Sequence, residues 1–544
     1  MTSYRLQQTT DRDPWYLPVL YVAFLTLAVV FAVWRTVVAN WGVWFGPLAW
    51  AAEMFGLFTS ILFVVSLRRA VRPVPRVVTG TTKTVDILIP TLNEPLSVLE
   101  PTVIGATRVR GVRRVLVLDD AARDEVRELA DRYGAGYLAR TERGGAKAGN
   151  LNAGLTATDA EFVVTLDADH VPLPELIEQT IGYFDDPQVA VVQSPQSFYN
   201  TESFTFRRRR GDDAGWHEQA MFYGGIQPTK NRTNSAIYTG TSAMLRRSAL
   251  DTTGGFAPDT PTEDIHTSLR LHARGWRSVY LRTPLAYGLE VENLEEYYRT
   301  RRRWASGSLR LLFRNPDSPL WVRGLTLSQR LNYLSALVTH LQGLNRVAYL
   351  VAPIAAVLTG VAPVSGPYAV YGFAFLTFMV LSIVTVVLFG RGNYHLVHSE
   401  AFGVADTLPM IDALRDLAGG ERGFGVSRKR TGRASGTGLT WAYRAFAAVN
   451  LGGLGLAVTR LAQGEHVVIA AWSAAFLTLS SAYALAFLVT MERYERRIGA
   501  PAYLRLTPEE LYQHVVGLST TAAGGPVRSA PAPTAPAPQP LAAA

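Results

Sequence analysis

The sequence predicts an α/β domain inserted between membrane-spanning α-helices, and three observations predict it. Six apolar runs of membrane-spanning length lie in two groups, near the two ends of the chain. The polar region between the groups alternates short apolar, strand-like runs with helix-like segments, which is typical of a mostly parallel sheet. Acidic residues directly follow three of the strand-like runs, and open α/β sheets bind their ligands at those strand ends.

The composition restricts the class of protein before any motif is considered. Of the 544 residues, 48% are hydrophobic and 18% are charged, which excludes a mainly disordered chain. The hydrophobic residues cluster in long runs near the two ends of the chain, which excludes an ordinary soluble enzyme. The absence of cysteine excludes disulfides, thiolate metal sites and cysteine nucleophiles. The net charge is +9, but the basic residues lie beside the apolar runs, so nucleic acid is not an expected partner.

Each apolar run is long enough to cross a bilayer, which takes about 20 residues. The first run is too long for the core of a cleaved signal peptide. Lys and Arg are concentrated after the second, fourth and sixth runs, which predicts a multi-pass protein of the plasma (inner) membrane with its central domain in the cytosol. The runs are residues 15–38, 41–67, 334–361, 368–389, 443–461 and 467–491.

These runs divide the chain into six parts, of which three are expected to contain membrane helices. The remaining parts are expected in the cytosol. The predicted parts are 1–67 (an N-terminal segment and two spans), 68–330 (the α/β domain with interfacial helices), 331–392 (two spans), 393–440 (an interfacial segment), 441–492 (two spans) and 493–544 (a tail that is Ala/Pro-rich and disordered at its end).

Three strand-like runs end in polar or acidic residues. The first ends in the segment 91–94, the second in Asp119 and Asp120, and the third in Asp167 and Asp169. A solvated turn or a helix cap explains any one of them equally well, but the coincidence of three favours a ligand site. Two carboxylates one residue apart can share a hard divalent cation such as Mg²⁺.

Three further motifs each admit two interpretations. Lys147, in the glycine-rich turn 144–150, is either a surface lysine or a cation near a diphosphate. The acids in 262–264 either form the first turn of a helix or take part in catalysis. The segment 297–304 is either an interfacial amphipathic helix or a site with Arg303 on a phosphate and an aromatic ring on a sugar.

Taken together, the motifs resemble those of processive, membrane-embedded family 2 glycosyltransferases, and in particular the UDP-forming catalytic subunits of bacterial cellulose synthases. The resemblance implies a GT-A type domain held between helices that form a polymer channel. The matching motifs, in order, are Pro-Thr-Leu-Asn-Glu (90–94), Leu-Asp-Asp (118–120), Lys-Ala-Gly-Asn (147–150), Asp-Ala-Asp-His (167–170), Gln-Ser-Pro-Gln (193–196), Tyr-Thr-Gly-Thr (238–241), Thr-Glu-Asp (262–264), Arg-Trp (303–304) and the gating-loop-like Phe-Gly-Val-Ser-Arg-Lys (424–429).

The resemblance also implies roles for individual residues. Asp264 would be the general base, Arg303 would pair with the leaving diphosphate, and Trp304 would stack on the terminal sugar. Asp167 and Asp169 would bind the diphosphate through Mg²⁺ or Mn²⁺. The residues implied to bind substrate are Thr91, Glu94, Asp119, Asp120, Lys147, Asp167, His170, Glu263, Phe424, Ser427 and Lys429.

The activity that the resemblance implies is processive, inverting synthesis of a β-linked polysaccharide. β-Glucan (cellulose) from UDP-glucose is the first expectation, and a β-1,3-glucan, mannan, chitin or hyaluronan-type product is the alternative. Thr300 stands where the family has Gln, which leaves the product and linkage open. The partners would be the nucleotide sugar, the growing polysaccharide and membrane lipid, and the resemblance allows an extracytoplasmic accessory subunit.

Two other classes of function remain open from the sequence. A membrane-anchored transferase could add a single sugar to a lipid carrier, although such an enzyme needs no channel. A channel or transporter would have polar residues inside its spans, and His340, Gln342, Asn345 and Arg346 lie in the third one. A transporter, however, gives no reason for the acids at the strand ends.

Overall fold

The structure of the protein is a computed structural model. It describes both membrane-spanning regions and almost all of the domain between them. The described residues are 8–9, 15–67, 70–73, 75–207, 216–419, 437–497 and 502–522.

Helices form the membrane-spanning regions and alternate with strands in the domain between them. The helices are α1 (Tyr16–Val37), α2 (Phe45–Ser66), α3 (Leu96–Thr107), α4 (Asp124–Arg132), α5 (Ala146–Thr156), α6 (Leu176–Thr180), α7 (Gln227–Lys230), α8 (Arg247–Thr253), α9 (Glu263–Ala273), α10 (Leu294–Phe313), α11 (Leu327–Val338), α12 (Gln342–Thr359), α13 (Tyr368–Gly390), α14 (Leu396–Ala405), α15 (Thr407–Gly419), α16 (Thr437–Ala462), α17 (Val467–Arg497) and α18 (Pro508–Ala522). The strands are β1 (Gln8–Thr9), β2 (Arg72–Pro73), β3 (Val85–Thr91), β4 (Arg114–Asp119), β5 (Gly136–Leu138), β6 (Phe162–Thr165), β7 (Val171–Pro172), β8 (Val189–Gln193), β9 (Ser197–Phe198), β10 (Phe206–Arg207), β11 (Trp216–His217), β12 (Ala243–Arg246), β13 (Arg277–Tyr280) and β14 (Ala286–Gly288).

The apolar runs are helices long enough to span a membrane. Within the described residues there are six such spans: α1, α2, the continuous stretch α11–α12, α13, α16 and α17. The third span begins at Leu327, earlier than the sequence predicts. A capping box explains this start, because Thr326 and Gln329 satisfy each other's backbone N–H groups at the first turn.

The domain between the spans is built on one large, mostly parallel sheet. Its seven strands lie in the order β13-β8-β12-β6-β3-β4-β5, and only β12 runs antiparallel to its neighbours. Strands β3, β6 and β8 are buried along their whole length, as expected for strands covered on both faces. The predicted α/β domain between membrane helices is therefore confirmed.

Helix α10 connects this domain to the membrane-side helices. Asn293 caps its first turn by accepting a hydrogen bond from the Glu296 N–H at 2.8 Å. One side of α10 packs against α11 and α15. On the other side, Gly307 lies so close to Thr262 that a Cβ atom would be 2.6 Å from its Oγ1. The helix therefore lies directly over the turn that precedes α9.

Helix α18, which composition alone does not signal, packs against α3 of the domain. Arg108 donates two hydrogen bonds to the Glu509 carboxylate, at 2.7 and 2.8 Å, and its guanidinium lies 4.7 Å from the centre of the Tyr512 ring. Val515 is fully buried in an apolar cluster that includes Tyr199. The segment predicted as a tail thus contains a docked helix, whereas residues 523–544 lie outside the described residues.

We expect Val515→Asp to release α18 from the domain, because an unpaired carboxylate is costly to bury among apolar side chains. Hydrogen exchange over residues 508–522 should accelerate by about tenfold or more. Val515→Ile keeps an apolar side chain of similar size at the same site and should leave the exchange nearly unchanged. Equal protection in both variants would contradict the docking.

Candidate active site

The polar ends of three strands meet at one edge of the large sheet. Strands β3 and β4 are parallel and in register, so that Thr91 lies opposite Asp119. Strand β6 pairs with β3 on the other side, and the chain continues from β6 into Asp167. The structure therefore brings together the three acidic strand ends that the sequence places far apart.

Asp167, Asp169 and His170 form a group with the character of a metal site. Each offers a ligand atom, and these atoms lie within 4.8 Å of one another. His170 Nδ1 lies 3.1 Å from Asp169 Oδ1, while the buried Nε2 has no hydrogen-bond partner among the described residues. Two carboxylates and an imidazole suit a divalent cation, so these residues fit the metal that the sequence predicts.

Gly288 lets the His170 ring occupy this position. A Cβ atom at residue 288 would lie 2.4 Å from His170 Cε1, so a side chain there would displace the imidazole. Gly288 belongs to β14, which pairs with β7 directly after His170. Nothing in the sequence signals its role, because the contact depends on the pairing of two distant strands.

Lys147 lies between the acids of two different segments. Its Nζ atom is 2.5 Å from Asp167 Oδ1 and 3.5 Å from Glu263 Oε1, and it donates to the Gly240 carbonyl at 3.0 Å. Burial favours the neutral amine, but the two carboxylates outweigh it and raise the pKa of Lys147. The lysine is therefore held as a cation at this edge.

Asp264, at the first turn of α9, has the properties of a general base. Burial, reinforced by the Glu263 carboxylate, raises the pKa of Asp264 to about 7. A carboxylate that titrates near neutral pH is well matched to accepting a proton at physiological pH. Gly240, at a φ of +82°, allows the backbone to approach closely, since a Cβ atom there would lie 3.0 Å from Lys147 Nζ and 3.5 Å from Asp264 Oδ2.

Thr91 and Glu94 are joined to each other at the end of β3. The Thr91 hydroxyl donates to Glu94 Oε2 at 2.7 Å, and the Leu92 N–H donates to the same oxygen at 2.8 Å. This turn orders both side chains next to β4. The sequence predicts both as substrate-binding residues, and the structure places them together.

Two arginines that the sequence analysis does not single out engage the predicted acids Asp119 and Asp120. Arg123 approaches Asp119 at 3.3 Å and donates to the Thr91 hydroxyl at 2.8 Å. Arg140 donates to Asp120 Oδ1 at 2.5 Å and to the Ala146 carbonyl at 3.0 Å. The four-residue spacing from Asp119 could have indicated Arg123, but no local signal indicates Arg140. Both acids are therefore paired within the protein itself.

Arg303 and Trp304 lie on α10, over the turn that precedes Asp264. Arg303 Nη1 is 3.3 Å from the Pro261 carbonyl oxygen. Its Nε atom is buried and has no hydrogen-bond partner among the described residues. Trp304 is half-buried, and its ring packs against the Arg301 guanidinium. The predicted Phe424, Ser427 and Lys429 lie outside the described residues.

Comparisons with known proteins show similarity to glycosyltransferases and to cellulose synthases. Residues 83–307 match the model described as glycosyltransferase-like family 2, and residues 252–392 match the model described as cellulose synthase. The first match covers the α/β domain of the chain. It contains the strand-end acids, Lys147, Asp264 and Arg303, and the second match extends this domain into the membrane helices α11, α12 and α13.

The similarity extends along most of the chain. The chain is 34% identical to the cellulose synthase 1 catalytic subunit (UDP-forming) of Komagataeibacter xylinus, over 75% of this chain and 52% of that protein. It is 32% identical to the corresponding subunit of Komagataeibacter sucrofermentans, over 84% of this chain and 63% of that protein. The chain thus spans between about half and three fifths of the length of these two relatives.

A solved structure is also similar to part of the chain. It is a mannosyltransferase from Pyrobaculum calidifontis in complex with GDP-Man and Mn²⁺. The TM-score is 0.43 at 19% identity, and the alignment covers 64% of this chain and 98% of that one.

We expect Asp169→Asn to weaken Mn²⁺ binding by about tenfold or more, because it removes a charged ligand oxygen. The measurement is a titration of purified protein with Mn²⁺ in the presence of UDP, with free Mn²⁺ followed by electron paramagnetic resonance. Asp159→Asn is the matched control, since the Asp159 side chain is 84% exposed and pairs with Arg113. The same affinity in both variants would contradict the assignment.

Proposed function

We propose that the protein is a membrane-embedded, processive, inverting glycosyltransferase. It polymerises a β-glucan, in the first instance cellulose, from UDP-glucose and translocates the polymer across the membrane. The observation that carries this proposal is the Asp264 carboxyl group, whose pKa of about 7 suits a base, at the edge that also holds Lys147 and the metal-type group. The similarity to UDP-forming cellulose synthase catalytic subunits supports the choice of donor.

The chemistry begins with the acceptor hydroxyl at the end of the glucan. Asp264 removes its proton, and the oxygen attacks C1 of the donor sugar from the side opposite the nucleotide. A single displacement without a covalent intermediate inverts the configuration, so an α-linked donor gives a β-linked product. A second catalytic carboxylate acting as nucleophile is not required.

The leaving UDP gains negative charge as the bond to C1 breaks. Lys147 lies within reach of this charge at the sheet edge, and the buried Arg303 Nε provides a donor without a hydrogen-bond partner among the described residues. Asp167, Asp169 and His170 would hold the Mg²⁺ or Mn²⁺. The ion, when bound, would supply positive charge to the diphosphate.

The remaining predicted residues bind the two substrates. Thr91, Glu94, Asp119 and Asp120 contact the nucleoside, and their pairing with Arg123 and Arg140 keeps this surface ordered before the donor arrives. Trp304 stacks on the terminal sugar of the polymer. The resemblance of Phe424, Ser427 and Lys429 to a gating-loop motif supports a role for these residues in binding the nucleotide.

We place the protein in the inner membrane with its glycosyltransferase domain in the cytosol. The basic loops of the sequence support this orientation, since Lys and Arg are enriched on the cytosolic side of membrane proteins. Membrane lipid surrounds the spans. An accessory subunit on the extracytoplasmic side would receive the emerging polymer.

The donor and product can be tested directly with purified protein in nanodiscs. UDP-glucose, UDP-GlcNAc and GDP-mannose are supplied separately with Mg²⁺ or Mn²⁺, and nucleotide release is followed. We expect release from UDP-glucose and an insoluble product that a β-1,4-glucanase digests. A product cut only by a β-1,3-glucanase would show that the linkage is β-1,3 and not β-1,4. Transfer of a single sugar to lipid would overturn the processive assignment.

We expect Asp264→Asn to lower kcat by about 10²–10⁴-fold while UDP binding persists, as for loss of a general base. In the wild type, kcat should rise with pH and level off above about 7, because the base is active only when deprotonated. Asp259→Asn removes a half-exposed carboxylate that pairs with Arg270 and is the control. A pH profile that is flat through neutrality would argue against Asp264 as the base.

A further inference from the structure

Arg301 is a mostly buried arginine for which the sequence motifs provide no role. Its side chain is 15% exposed, and it forms ion pairs with Glu218 and, at 3.6 Å, with Asp406. Glu218 follows β11 in the glycosyltransferase domain, whereas Asp406 lies between α14 and α15 on the membrane side. Arg301 therefore joins three separate parts of the chain at one point on α10.

The Arg301 guanidinium also lies against two aromatic rings of its own helix. It is 4.9 Å from the centre of the Tyr297 ring and 4.7 Å from the centre of the Trp304 ring. Residues four before and three after an arginine lie on the same face of a helix, so α10 aligns all three side chains. These distances are within the range of cation–π contact. The Tyr297 hydroxyl also donates to Asp406 Oδ1 at 2.8 Å.

We propose that Arg301 is a positioning residue for Trp304. The two carboxylates hold the guanidinium in place, and the guanidinium in turn holds the indole at a set orientation. The end of the growing polymer then meets a fixed ring beside Arg303. This role rests on the proposed function, in which Trp304 stacks on the terminal sugar.

The adjacent residue on α10 shows that an ion pair alone does not produce this arrangement. Arg302 donates to the Asp416 carboxylate at 2.6 and 2.8 Å and so also attaches α10 to α15. Among the described residues, no cation–π contact is found for Arg302. Arg302→Met therefore removes the same charge and an ion pair to a membrane-side helix, but no cation–π contact with Trp304. It is the matched control for Arg301→Met.

The contact can be measured without any activity. The full chain is labelled with 5-fluorotryptophan, and the ¹⁹F resonance of Trp304 is assigned by its loss in Trp304→Phe. We expect Arg301→Met to shift or broaden this resonance, and Arg302→Met to leave it in place. Arg301→Lys keeps the charge but lacks the flat guanidinium, so it should also disturb the resonance. An unchanged Trp304 resonance in Arg301→Met and Arg301→Lys would overturn the proposal.

Kinetics then test whether the orientation matters for the reaction. We expect Arg301→Met to lower kcat by about tenfold and to shorten the product, with KM for UDP-glucose within about twofold of the wild type. Arg301→Lys should show the same combination of a lower kcat and a nearly unchanged KM for UDP-glucose. Equal losses in Arg301→Met and Arg302→Met would indicate a merely structural role and overturn the proposal.

The two proposals fail in different ways. A wild-type protein that uses none of the nucleotide sugars would remove the proposed function, and the ¹⁹F spectra would still decide whether Arg301 orients the indole. Conversely, normal polymer synthesis by Arg301→Met would overturn the positioning role and leave the proposed function intact.

Discussion

The acidic sheet edge depends on the ion pairs that the Lys147 ammonium group makes with the neighbouring carboxylates. Carboxylates a few ångströms apart cannot all remain ionised unless a cation lies among them. Lys147 contacts Asp167 directly and lies 3.5 Å from Glu263, so its positive charge lies between these two carboxylates. Asp264 lies next to Glu263, and burial together with the Glu263 charge raises the pKa of Asp264 to about 7. The same cluster thus contains both Asp167, a carboxylate suited to hold a metal ion, and Asp264, a carboxylate suited to accept a proton.

A second constraint acts inside the membrane-spanning region. Charged groups inside a bilayer are costly unless they are paired. In the first two spans Arg35 donates to Glu53 at 2.6 Å, and Tyr371 of α13 donates to the same carboxylate at 2.9 Å. This network ties three helices together. Helix α10 makes a separate connection to the domain, since its Arg302 pairs with Asp416 of α15 and its Gly307 packs on the turn before Asp264.

Much of the fold could be predicted because it follows from local patterns. The spans depend on apolar length, and the alternation of strands and helices depends on short periodic runs, so both appear in the structure. The acids at the strand ends converge because parallel strands end at one edge. Arg140 and Gly288 could not be predicted, because their partners, Asp120 and His170, lie far from them in sequence. The composition of residues 493–544 likewise gives no indication of the docked helix α18.

The sequence by itself determined the six spans, the sheet domain between them and the order of the motifs that match family 2 glycosyltransferases, because each depends on neighbouring residues. Only the tertiary structure decided what each acid can do. Asp119 and Asp264 each belong to a pair of adjacent acids in the sequence, yet Asp119 is held by Arg123 whereas the half-buried Asp264 lies beside Glu263. The protonation of a carboxylate depends on burial and on nearby charges, and distant segments supply both only when the chain is folded.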